Sequence, residues 1–205
     1  MFNCVEIFND EASQEIFIAG IYELLGVEYT GSRPDALTLC QQKHKAKAIL
    51  SAAGVPTAKY RVVSGVGADQ QIARDHGLRF PVIVKPSMED ASTGVDAGSI
   101  CHDQAALDAR VALVHRDFRM PALVEEYIDG REIHCAVLGN DPPVPLPLYE
   151  MAFREVLDAN GVPLPRIVTF RAKWDPHSRD YAAVTGKCPP EEMSAEHTAR
   201  IQAVA

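Results

Sequence analysis

The rhythm of apolar and polar positions changes several times along the chain, and each change marks an element. Ile16, Ile18, Ala19, Tyr22 and Leu25 fall near helical spacing, with Gly26 placed to end that helix. Phe2 to Val5, before it, reads as the end of a strand, and residues 27–31 read as a short extended piece. Pro34 suits a first helical turn with Ser32 as its cap. The pattern then runs through Leu37, Leu39, Ala46, Ile49 and Leu50 to Gly54, predicting a long helical region broken near Gln41-Gln42. From Thr57 the elements alternate: a strand over 58–63, a helix over 69–76, a strand over 80–85, a returning strand over 95–101 and a helix over 102–117. Strands over 121–127 and 132–138 flank the turn signal Asp129-Gly130, which makes them antiparallel neighbours. The proline-rich stretch NDPPVPLPLYE is limited to an edge strand or extended connector, Asn160-Gly161 marks a turn, and 190–205 reads as helix.

The stretch FPVIVKPSMEDASTG organises the rest. Val82, Ile83 and Val84 suit a buried strand, and Pro86 lacks the N–H that would continue the ladder, so Lys85 arrives at the rim of a sheet. Ser92, Thr93 and Gly94 then supply hydroxyls and a pliant backbone. A cation beside such a loop is a candidate phosphate site. The densest basic run, Lys43, His44, Lys45 and Lys47, reads by itself as a solvated helix face. In the run Leu123 to Glu132, Glu125 and Glu132 occupy positions where strands favour apolar residues.

Composition narrows the classes. In 205 residues, 47 % hydrophobic and 23 % charged content is ordinary for a soluble globular protein. A net charge of -8 argues against general affinity for nucleic acid or an anionic membrane. No segment approaches the roughly 20 apolar residues needed to span a bilayer, and no signal peptide is evident. Five scattered cysteines without a CxxC spacing suggest neither a disulfide framework nor a zinc site, and a reducing cytoplasm fits them best. The seven histidines form no HxxxH or HExxH pair, so no metal ligands are assigned.

LGVEYTGS, a helix carrying Lys43, AAGVPT, FPVIVKP, a loop ending in Ser-x-Gly, LVEEYIDGREIHCAVLG and FRAKW follow one another in this chain. In that order they resemble the central part of D-alanine-D-alanine ligases and related ATP-grasp enzymes. The resemblance implies an α+β ATP-grasp fold, antiparallel sheets with flanking helices, with the nucleotide between two sheet layers. It implies that Lys43 and Lys85 contact ATP phosphates, Lys85 also lying near the adenine, and that Ser92, Thr93 and Gly94 form a flexible lid. Glu125 would receive the adenine amino group and Glu132 the ribose hydroxyls. Tyr127 and Ile128 would contact the nucleotide, Ile128 through its backbone at the ring edge. Lys173 would approach the terminal phosphate as the catalytic lysine. The residue types agree with those roles, since lysine is a compact cation that can follow a phosphoryl group, and carboxylates accept from hydroxyls and amines.

The activity so implied is ATP-dependent joining of an amino-acid or small carboxylate to an amine through an acylphosphate, with Mg2+ on the phosphates. The Glu-x-Asn-x-x-Pro-Gly segment that holds the metals in the family is not in this sequence. The expected organisation is a remnant of an N-terminal substrate domain over 1–31, a linking helical segment over 32–57, a central subdomain over 58–128 and an incomplete C-terminal subdomain over 129–205. A nucleotide-binding remnant without catalysis, or a ligase for other amino acids or peptides, stays open beside it. Ligases of this resemblance are often dimers, so a homodimer is an expectation too. Asp90 and Ala91 stand where the family pattern has glycine and serine, Trp174 where tyrosine is common, and Gln42 where aspartate precedes the lysine. These departures bear on the amino-acid substrate more than on the nucleotide.

Overall fold

The computed structural model describes residues 1–9, 11–65 and 77–205. They fall into two compact units, Met1–Tyr127 and Ile128–Ala205. The helix expected over 69–76 lies outside the described residues.

The first unit opens with α1 (Glu15–Leu24), α2 (Pro34–Gln41) and α3 (Lys43–Ala52). Gly26 ends α1 at φ +65°, where Val27 N donates to Tyr22 O at 2.9 Å. The break between α2 and α3 falls at Gln42, whose ψ of 78° is not helical. Pro34 does sit in the first turn of α2, but the residue before the helix is Arg33 and no side chain caps it, so Ser32 is not the cap. No strand forms over 2–5; the N-terminal residues are tied instead to the extended piece, with Thr30 N donating to Met1 O.

A four-stranded antiparallel sheet follows, built from β1 (Tyr60–Val63), β2 (Val82–Pro86), β3 (Ile100–Cys101) and β4 (Ala122–Glu126) in the order β1-β4-β2-β3. Helix α4 (Gln104–Phe118) packs on one face of it. Strand alternation sends Val82, Val84, Ala122 and Val124 to that face, where they meet Leu107, Val111 and Val114 in the core. The opposite face therefore carries Ile83, Lys85, Leu123 and Glu125.

Only Ile100 and Cys101 of the returning strand expected over 95–101 pair with β2. Asp96 and Ser99 close a capping box around a short 3₁₀ turn, a local hydrogen-bond pattern that competes with the ladder.

The second unit contains β5 (Glu132–His134), β6 (Val137–Leu138), β7 (Val144–Pro145), β8 (Tyr149–Phe153), α5 (Phe170–Trp174), α6 (Arg179–Ala182), β9 (Val184–Lys187) and α7 (Ala195–Val204). One sheet runs β5-β8-β9, and β6 pairs with β7. The hairpin expected across Asp129-Gly130 is thus corrected: β4 pairs with β1 and β2, whereas β5 pairs with β8. The chain between β4 and β5 passes from one unit to the other, so a local turn signal does not specify pairing there. Among the described residues no helix is long and apolar enough to cross a membrane.

Candidate functional site

Register brings the site together. Ile83 of β2 faces Glu125 of β4, so Lys85, two residues on, lies diagonal to Glu125 on the same face; Tyr60 of β1 faces Glu125 from the other side. Lys85 Nζ reaches Glu125 Oε2 at 2.5 Å. Lys47 Nζ reaches the other oxygen, Oε1, at 2.7 Å. The Lys47 ammonium also lies over the Tyr60 ring, 5.3 Å from its centroid, and the Tyr60 hydroxyl donates to His44 O at 3.1 Å. The N-terminal part of α3 is thereby tied to this sheet face.

Lys43 and Lys47 stand four residues apart on α3 and so share a helix face. Lys43 N donates to Ser87 O at 3.2 Å, which places the start of α3 beside the chain leaving β2. The Lys43 ammonium is held below its ordinary value, first by burial and then by the charge of Lys85, against the pull of Asp90, Glu89 and Glu125. Burial pushes the Glu125 carboxyl up, but the charge of Lys85 and the hydrogen bonds and charge of both lysines outweigh it, and the group is held below the usual carboxylate value. The Glu125 side chain is only 8 % exposed, Lys47 14 % and Lys85 27 %. Two ammonium groups thus hold one buried carboxylate, and a third, Lys43, lies within electrostatic reach of Lys85, Glu125, Glu89 and Asp90.

The loop after β2 is shaped by its backbone. Ala91 and Ser92 have φ of 49° and 64°, and Gly94 has φ of 71°. A Cβ on Gly94 would stand 2.7 Å from both Phe118 Cζ and Pro86 Cγ, so only glycine fits. Arg110 of α4, nearly buried, donates to Gly94 O at 2.7 Å, to Ser99 Oγ at 2.8 Å and to both oxygens of Asp96. Residues 94–99 are therefore fastened to α4. Ser92 and Thr93 lie just before that anchor, Val95 N donating to Ser92 O and Thr93 N to Asp90 O.

Lys43, Lys85, Glu125 and the Ser92 to Gly94 loop all belong to the first unit, as does Tyr127, whose N–H donates to Pro81 O at 3.0 Å. Ile128, largely exposed, begins the second unit, which also holds Glu132 and Lys173. Glu132 lies on the edge strand β5 and pairs with His134 at 3.0 Å. Lys173 is exposed on α5, whose N-terminus Thr169 caps through Ala172 N.

The basic run on α3 is not a solvated face throughout. Lys45 is exposed, but Lys43 and Lys47 turn inward, while the apolar Ile49 and Leu50 are exposed. Sequence reasoning assigned no role to Lys47, Tyr60 or Arg110; the four-residue spacing of Lys43 and Lys47 was the one available signal.

This architecture defines the class. The chain has the ATP-grasp fold: it superposes on VanG D-Ala:D-Ser ligase from Enterococcus faecalis with a TM-score of 0.68 at 24 % identity, covering 91 % of this chain and 49 % of that one. Residues 49–203 match the family model described as D-ala D-ala ligase C-terminus, and the chain belongs to that family. It is 32 % identical over 187 residues to D-alanine--D-alanine ligase of Ralstonia nicotianae, covering 91 % of this chain and 50 % of the relative. It is 38 % identical over 138 residues to the uncharacterized protein y4sG of Sinorhizobium fredii, covering 67 % of this chain and 39 % of the relative. The chain thus spans half or less of the length of these curated relatives.

Proposed function

We propose that this chain binds the phosphates of ATP at the Lys43–Lys85–Glu125 cluster and serves as the nucleotide-binding part of an ATP-dependent carboxylate–amine ligase. The observation that carries the reading is the meeting of Lys47 and Lys85 on one buried carboxylate, with Lys43 in electrostatic reach of Lys85, in a member of this ligase family. In the reaction, the terminal phosphoryl group passes to a substrate carboxylate, and an amine then displaces phosphate from the acylphosphate. Lys43 and Lys85 neutralise phosphate charge, the Ser92 to Gly94 loop covers it, and Glu125 fixes the lysines and accepts from the adenine amino group. Tyr127 and Ile128 border the ring, Glu132 accepts from the ribose, and Lys173 serves the terminal phosphate. The protein's work is positioning and charge neutralisation.

Among the described residues no three histidine, cysteine, aspartate or glutamate side chains are grouped as metal ligands. Because the chain spans half or less of the relatives' length, nucleotide binding without turnover by this part alone is the second reading.

Thermal melting with Mg-ATP and a phosphate-release assay with D-alanine and other amino acids test both. A ligand at 100 times its Kd stabilises by about 2.7 kcal/mol. Stabilisation with amino-acid-dependent release supports the ligase, stabilisation without release supports the second reading, and an unchanged melt contradicts both.

A further inference from the structure

Lys47 belongs to none of the residues that the family pattern placed on the nucleotide, yet it makes the closest contact to Glu125 Oε1. Its surroundings hold it on two sides. The ammonium sits against the carboxylate at 2.7 Å and over the Tyr60 ring at 5.3 Å, while Tyr60, in register with Glu125, bonds back to the first turn of α3. Lys85 differs. It stands near the end of β2, is about twice as exposed, and reaches the other oxygen of the same carboxylate.

We propose that Lys47 is a positioning residue for the anion site: it anchors Glu125 and offsets its charge, so that the carboxylate orients Lys85 without sequestering it. This rests on the nucleotide reading above. With one cation, a nearly buried carboxylate would form a closed, neutral pair with Lys85, and an incoming polyphosphate would have to break that pair, leaving a bare buried charge. With two cations the carboxylate keeps a partner when Lys85 turns to phosphate. Lys47 is the partner that stays, because its side chain is the more buried of the two and its ammonium also lies over the Tyr60 ring.

The test is calorimetric titration of ATP and of inorganic tripolyphosphate into the whole chain and four variants: Lys47→Met, Lys47→Arg, Glu125→Gln, and Lys47→Met with Glu125→Gln. The expected result is affinity about tenfold weaker for Lys47→Met, within about twofold of the parent for Lys47→Arg, and no added loss from Lys47→Met in the Glu125→Gln background. Equal losses in both backgrounds would mean that Lys47 touches phosphate itself, and no loss would mean that it is merely structural; either overturns the role. A parent chain that binds neither ligand overturns the nucleotide reading and this role with it, whereas a binding parent with an unaffected Lys47→Met overturns this role alone. Melting curves verify folding. If Lys47→Met does not fold, the cycle is run with Lys47→Gln in both backgrounds, with the same expectations.

Discussion

Glu125 sits between two ammonium groups at 2.5 and 2.7 Å, and its charge state is set by which neighbours it keeps. Burial alone would favour the neutral acid, but the two lysines prevail and hold the carboxyl below its ordinary value of 4.5. The folded protein therefore takes up this proton less readily than the unfolded chain. Its stabilising contribution is complete above that ordinary value and is lost as pH falls through the lowered folded value. Urea melts of the parent and Glu125→Gln across this acid range should show a shallower decline for the variant; parallel curves would contradict the pairing. Glu125→Ala leaves two cations around an empty place and should cost about 3 kcal/mol, read from the same melts. Cys101, pushed up to about 11 chiefly by burial, should resist iodoacetamide at neutral pH while the exposed Cys4, Cys40 and Cys188 react. Modification of Cys101 at the same rate would mean that its strand opens readily.

The loop after β2 depends on two fastenings, the glycine at position 94 and the guanidinium at position 110. Gly94→Ala must place a side chain at positive φ against Phe118 and Pro86, and should lower stability by about 2 kcal/mol. Arg110→Met strips hydrogen bonds from Asp96, Ser99 and Gly94 and should cost a similar amount, about 2 kcal/mol, while freeing residues 94–99. Amide exchange over that segment should quicken in the variant; unchanged protection would show that Arg110 is not the brace. The strand at Val82 to Lys85 was legible because a run of β-branched apolar residues is a local signal, but Pro86 does not end it at the lysine: it is the last residue of β2, in register with Ala122 at the sheet's end. The brace was not legible, since an arginine within a helix pattern gives no sign of facing inward until Asp96 and Ser99 are folded against it. The hairpin at Asp129-Gly130 failed for the opposite reason: a strong turn signal lies where the chain leaves one sheet for another, and pairing is decided by β1 and β2. Likewise Ile49 and Leu50 carried the helical pattern of α3 yet are exposed, whereas ion pairing and the Tyr60 ring turn Lys47 inward.

For the molecule as a whole, the ordered motifs pointed to the ATP-grasp class, and the fold and the family match establish it. What the motifs could not supply was which strands carry the charged residues to one face. That follows from the register of β1, β4 and β2, a non-local property fixed by the core packed beneath α4. The chain's two units divide the proposed roles: phosphate neutralisation falls to the first, while Glu132 and Lys173 lie in the second. The central claim is that the cation cluster of the first unit receives nucleotide phosphates, and titrating Mg-ATP into the chain and into Lys85→Ala by calorimetry tests it most directly. Saturable binding by the parent, weakened at least about tenfold in the variant, is the predicted result. Equal affinity in the two proteins, or heat of dilution alone in both, would contradict it.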